Sequence, residues 1–95
     1  MSYPKDELAP PSAATGDARS FELARLWLAD GAPHVALRTG VWPDPAAWGI
    51  VLVDLARHIA LAYHQSSDVS LGDAFERILY GLRAELESPT ERAED

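Results

Sequence analysis

Three polar residues that could support acid–base chemistry, Asp54, Arg57 and His58, interrupt the most apolar part of the sequence. On a helix, side chains three and four residues apart are neighbours, so Asp54 can reach both of the others. A carboxylate beside an imidazole can orient it, and His58 would then act as a general base or a ligand-binding group. The alternative is a salt-bridge cluster on an otherwise apolar helix that sets the register of a dimer. We favour this structural interpretation and predict no catalytic residues, because no nucleophile motif such as Gly-x-Ser-x-Gly is present.

Histidine spacing and the absence of cysteine bear on metal binding. The chain contains three histidines, His34, His58 and His64, and no cysteine. Six residues turn a helix by about 600°, so His58 and His64 lie on different faces and cannot bind one ion together. We therefore expect no metal site and no cofactor. The lack of cysteine also excludes disulfides and agrees with a cytoplasmic location.

A Trp-Pro-Asp-Pro segment at residues 42–45 precedes the apolar run. Asp44 can cap a helix whose first turn contains Pro45. Trp42 can then pack against Trp48, near the position of a hydrophobic staple. The alternative is a small-ligand pocket at an interface between two copies of the chain. Its lining would be His34, Trp42, Trp48 and His58.

Alternating apolar residues predict a β-hairpin before this segment. Residues 21–29 and 34–39 fit two strands, and the Asp-Gly-Ala-Pro sequence between them is a turn signal. Both faces of the first segment are mostly apolar, so a helix from Ser20 is a competing interpretation.

Two helices are expected after the hairpin. The first runs from about Pro45 to about His64, and the second begins at a Ser70 cap and ends before Pro89. The order ββαα predicts an α+β fold, a hairpin followed by two antiparallel helices. We expect a flexible arm at residues 1–18, one domain at 19–88 and a flexible tail at 89–95.

The first helix has more apolar surface than a chain of this size can cover. One side carries Trp48, Leu52, Leu55 and Ile59, and a second side carries Ile50, Val53 and Leu61. We predict that the second side packs on the hairpin or on another copy, and assign Ile50, Val53 and Leu61 to a homodimer interface. Edge-to-edge pairing of two hairpins is the alternative route to a dimer.

Charge and hydropathy exclude two classes of partner. The net charge is −7, with 15 acidic and 8 basic residues and no basic cluster, so a nucleic-acid partner is not expected. The apolar run is broken by Asp54, Arg57 and His58, and the first residues contain no apolar signal-peptide centre. We therefore expect no membrane span.

Several motifs together resemble a family of short bacterial proteins of unknown function. They are Trp-Leu-Ala-Asp-Gly at 27–31, His-Val-Ala-Leu-Arg at 34–38, and the segment 39–50 with its Trp-Pro-Asp-Pro sequence; Asp54, Arg57 and His58 continue the likeness. The resemblance covers about residues 22–64. It implies a small cytoplasmic bacterial protein and brings no catalytic residues with it.

These observations favour a non-enzymatic, homodimeric protein-interaction module with an unidentified protein partner. The small-ligand module described above is the principal alternative. An enzyme that uses Asp54 and His58 as an acid–base pair, and an antitoxin-like inhibitor, are the remaining interpretations.

Overall fold

The computed structural model describes residues 6–89, which form a short helical turn, a β-hairpin and two long helices. The predicted ββαα order is confirmed, and the fold is α+β. The chain divides into two compact units, residues 1–41 with the hairpin and residues 42–95 with the helices. The elements are α1 (Ser12–Thr15), β1 (Ala24–Ala29), β2 (Ala32–Leu37), α2 (Ala46–Ser66) and α3 (Leu71–Glu87).

The hairpin closes through a two-residue loop, Asp30 and Gly31. Their φ angles are 53° and 74°, the left-handed values that a type I′ turn requires at both positions. The loop is shorter than predicted because Ala32 and Pro33 belong to β2. Ala29 and Ala32 pair directly beside the loop. Antiparallel pairs alternate between bonded and non-bonded, so Pro33, the next residue along, sits where its missing N–H faces away from β1.

The two faces of the hairpin differ in polarity. One face carries only apolar side chains, and four of them are exposed: Leu26, Leu28, Val35 and Leu37. The other face carries Arg25, which forms ion pairs with Glu22 and Glu7. Hydrogen bonds with Glu22 and then Glu7 raise the pKa of Arg25 above its usual value, so it stays protonated wherever the carboxylates are charged.

Glu7, the ion-pair partner of Arg25, belongs to residues 1–18, the segment predicted to be a flexible arm. The same segment contains α1, which sequence periodicity did not indicate. The predicted division into arm, single domain and tail stays a prediction, and residues 90–95 of the predicted tail lie outside the described residues.

Helix α2 begins as its capping sequence predicts. The Asp44 Oδ1 atom accepts a hydrogen bond of 3.0 Å from the amide of Ala46, the first helical residue. Pro45 directly precedes Ala46, lacks an N–H group and already has a helical φ of −57°, so it leads into the first turn without losing a hydrogen bond. The observed helix ends at Ser66, two residues beyond the predicted end.

The connection between α2 and α3 is held by local hydrogen bonds. The His64 Nδ1 atom donates to the carbonyl of Val69 at 2.9 Å, and the Ser67 hydroxyl donates to the carbonyl of Tyr63 at 2.7 Å. Ser70 Oγ accepts from the amide of Asp73 at 3.1 Å, which confirms the predicted cap of α3. A connection this short makes α2 and α3 antiparallel neighbours.

The core of the second unit consists of small side chains. Among residues 6–89, only Ala56, Ala60 and Ala74 are buried, and Ala60 is completely inaccessible. Alanines at a helix–helix contact let the two backbones approach closely. No large side chain of α2 is buried, although periodicity alone would rank the large residues first for burial.

Candidate functional site

The structure brings Asp54 and His58 together. The His58 Nδ1 atom donates to the backbone carbonyl of Asp54 at 2.9 Å, and the Asp54 Oδ2 atom lies 3.5 Å from the same nitrogen. His58 is 71% exposed and Asp54 is 68% exposed, so solvent surrounds the pair and weakens the electrostatic interaction between the two side chains. This geometry fixes the orientation of the imidazole without giving it the desolvated environment that usually tunes a catalytic base.

Arg57 takes a different direction from the other two members of the predicted cluster. Its guanidinium lies over the ring of Phe75, 5.9 Å from the ring centroid. This cation–π contact joins α2 to α3. Arg57 thus serves a contact between the helices, whereas Asp54 and His58 form a local pair on α2.

A groove of about 460 Å³ lies between α2 and α3. Leu61 and Leu71 contribute apolar walls, and Arg57 and His58 supply the polar groups. Gly72 leaves space, since a methyl group added there would meet nothing within 4 Å. The groove residues of α3 carry no distinguishing signal in the sequence, because only the packing of the two helices brings them beside Arg57. The complete lining is Arg57, His58, Ala60, Leu61, Leu71, Gly72 and Phe75.

The two tryptophans at the start of α2 pack against each other. The ring centroids of Trp42 and Trp48 are 5.4 Å apart with an interplanar angle of 81°, an edge-to-face arrangement. Such a pair adds about 0.5–1.5 kcal/mol beyond its buried area. It anchors the segment that enters α2, in agreement with the staple interpretation.

The four residues of the hypothetical ligand pocket are distributed along the chain. His34 belongs to the first unit, where its Nε2 atom lies 3.2 Å from the carbonyl oxygen of Ala29. Trp48 and His58 are ten residues apart on α2, which corresponds to about 15 Å along the helix axis. A small ligand cannot touch both within one copy, so a pocket of this composition requires a second copy. That pocket stays a prediction.

Helix α2 exposes apolar side chains on two sides. The residues assigned to an interface, Ile50, Val53 and Leu61, are 73%, 41% and 41% exposed. A second set, which we call the α2 seam, comprises Trp48, Leu52, Leu55, Ile59 and Ala62. Its three large aliphatic members Leu52, Leu55 and Ile59 are 59%, 49% and 39% exposed.

Two further classes of site can be assessed directly. Within residues 6–89, no group of three or more His, Cys, Asp and Glu side chains is arranged to hold a metal ion.

Helix α2 is long and apolar enough, with a mean hydropathy of 1.3, to cross a membrane on length and composition alone. Only 11% of that stretch is buried.

Comparison with known proteins identifies the family. Residues 7–90 match the family model of a domain of unknown function, DUF5076. The chain belongs to the DUF5076 family. This confirms the expectation of membership in a family of unknown function, and the match extends well beyond the motifs at residues 22–64 that suggested it.

A solved structure shares the DUF5076 chain's fold along its whole length. It is described as a "putative pyruvate dehydrogenase" from the photosynthetic bacterium Rhodopseudomonas palustrus CGA009. The two sequences are 36% identical, the TM-score is 0.72, and the match covers 100% of this chain and 96% of that one. No curated protein matches the chain.

Proposed function

We propose that the protein is a non-enzymatic, homodimeric protein-interaction module. The observation that supports this is the exposed apolar surface of α2 in a unit whose buried residues, among those described, are three alanines. Monomeric proteins rarely leave contiguous apolar patches of this kind open to water, and such patches commonly mark protein interfaces.

Burial of the exposed apolar side chains of α2 would offset a large part of the free-energy cost of forming a dimer. Leu52, Leu55 and Ile59 together expose the equivalent of about one and a half complete side chains per copy. Full burial of one such side chain contributes about 1.5–3 kcal/mol, so the two copies gain about 4–9 kcal/mol from these residues. This is within the range of about 4–15 kcal/mol that association costs in lost freedom, so flanking residues such as Tyr63 must add to the interface.

A catalytic role has weaker support. Among residues 6–89, no polar or charged residue is buried, and Asp54 and His58 are mostly exposed. Catalytic acids and bases usually occupy partly desolvated clefts that tune their protonation. The dehydrogenase name belongs to the structural neighbour and does not single out Asp54 and His58 as a catalytic pair.

The test of the proposal is the mass of the purified protein in solution. Sedimentation velocity or light scattering over a concentration series should give twice the monomer mass of 10.3 kDa, with dissociation on dilution. A folded protein that stays monomeric at high concentration would contradict the homodimer. The wild-type protein should also retain a partner protein from cell extract, and Leu28→Lys on the exposed hairpin face is the variant to compare with it.

A second candidate function is the binding of a small amphipathic anion in the α2–α3 groove. Its volume of about 460 Å³ and its combination of apolar walls with Arg57 support this candidate. Gly72→Leu would fill the groove. Gly72→Ala is the matched control, because its methyl group would meet nothing within 4 Å and alanine favours a helix more than glycine does. Binding of a short-chain fatty acid, followed by calorimetry, should be lost in Gly72→Leu and kept in Gly72→Ala. Equal binding by both variants would remove this candidate.

A further inference from the structure

We infer that the two copies of the chain pair through the α2 seam, and not through the side that carries Ile50 and Leu61. This inference rests on the proposed homodimer and identifies the face that forms it. The occupant of the seam is a second copy of the same α2 helix, and the result is a bundle of two α2–α3 pairs.

The spacing of the seam is that of a helix–helix interface. Trp48, Leu52, Leu55, Ile59 and Ala62 follow each other at alternating intervals of four and three residues. This is the heptad pattern in which side chains of one helix insert between those of another. Because the pattern repeats every 3.5 residues, the seam stays on one side of α2 for most of its 21 residues.

The seam is also separate from the face that α3 covers. At about 100° per residue, the centre of the seam lies about 100° around the helix from the midpoint of Ala56 and Ala60. Those two alanines are buried, whereas Leu52 and Leu55 are about half exposed. A second helix can therefore pack on the seam without displacing α3.

Charge distinguishes the seam from the other exposed apolar side of α2. In the angular projection of the helix, Ile50 and Leu61 share a sector with Asp54, Arg57 and His58. The sector of the seam contains no charged residue. Pairing through the Ile50–Leu61 side would remove Asp54 and Arg57 from water. The free-energy cost of desolvating a charge is offset only when the charge gains a well-positioned partner. Pairing through the seam leaves both charges in water.

The length of the seam fits one more helix. A 21-residue helix is about 31 Å long, so a second α2 that lies along it can contact the seam from Trp48 to Ala62. A second copy supplies a matching apolar stripe by symmetry, since the two patches of a twofold dimer are the same surface.

The absence of cysteine makes a direct test possible. Single-cysteine variants at Leu52, Leu55 and Ile59 place a thiol on the seam, and matched variants at Ile50 and Leu61 place one on the other exposed side. Each variant is first shown to be dimeric by sedimentation, and is then treated with a flexible bis-maleimide while the rate of covalent dimer formation is followed. We expect at least one seam position to react about tenfold faster than either control.

Each outcome has a distinct meaning. A dimer that cross-links fastest at Ile50 or Leu61, or at no α2 position, overturns the seam while the homodimer stands. A wild-type protein that is monomeric overturns the homodimer and the seam with it.

A charge-pairing experiment provides a second measurement that a folding defect would not reproduce. The variants Leu55→Lys and Leu55→Glu should each be monomeric by sedimentation and should keep their helix content by circular dichroism. An equimolar mixture of the two variants should recover at least part of the dimer. Dimers of undiminished affinity in both single variants would contradict the inference.

Discussion

The replacement Leu55→Ala tests the α2 seam at a single side chain. Leu55 is 49% exposed, so about half of its surface remains to be buried by a second copy. Full burial of a leucine contributes about 1.5–3 kcal/mol, and a twofold dimer loses the contact twice. Because alanine keeps part of the contact, we expect a loss of about 1–2 kcal/mol, which is about a 5- to 30-fold increase in the dimer dissociation constant.

The assay is sedimentation equilibrium of wild type and variant over the same concentration range. Ile50→Ala is the matched control, because Ile50 is more exposed than Leu55 but lies on the other side of α2. Alanine is the strongest helix former, so both variants should keep their helix content by circular dichroism. The reasoning is refuted if Leu55→Ala leaves the dissociation constant within twofold of wild type, or if Ile50→Ala raises it by as much as Leu55→Ala does.

Three further predictions concern local structure and are measured by urea unfolding. Ser70→Ala removes the acceptor for the amide of Asp73 and should lower the free energy of unfolding by about 1 kcal/mol. The control Ser66→Ala removes only a hydroxyl that is bonded within α2 and should lower the free energy of unfolding by less. Equal losses in the two variants would contradict the role of the cap. Gly31→Ala places a Cβ at a φ of 74° and should cost about 1–2 kcal/mol of hairpin stability, and no change would contradict the assigned turn. Ala60→Leu overpacks a completely inaccessible position between the helices and should cost about 1–3 kcal/mol, whereas a stabilised variant would contradict the close approach of α2 and α3.

Local sequence signals were sufficient to predict the ends of elements where the backbone geometry can be satisfied by only a few residue types. Asp44, Ser70 and the Asp-Gly turn each satisfy backbone requirements that few other residues meet, so the elements they delimit could be predicted to within a few residues. The first strand begins at Ala24 and not at residue 21, because the ends of strands depend on pairing with a partner. The turn was expected to include Pro33, which the outer edge of β2 accommodates.

Packing between elements was less predictable. Apolar periodicity weights side chains by size, and on α2 it points to Leu52, Leu55 and Ile59. The contact with α3 instead uses Ala56 and Ala60, whose small side chains give weak signals in such a pattern. The direction of Arg57 depends on the same packing, since the ring of Phe75 comes within reach only when α3 lies beside α2. The groove residues of α3 could not be assigned for the same reason.

The hydropathy of α2 is compatible with a membrane span and with a dimer, and the position of its charges favours the dimer. The helix is about 31 Å long, close to the thickness of about 30 Å of a bilayer core. Asp54 and Arg57 flank its midpoint, where each charge would cost about 2.5–3.5 kcal/mol in lipid. In water the charges of Asp54 and Arg57 carry no such penalty if they face solvent while the apolar side of α2 is covered. Because the charges and the α2 seam occupy different sectors of the helix, pairing of two copies satisfies both conditions and insertion into a bilayer satisfies only one.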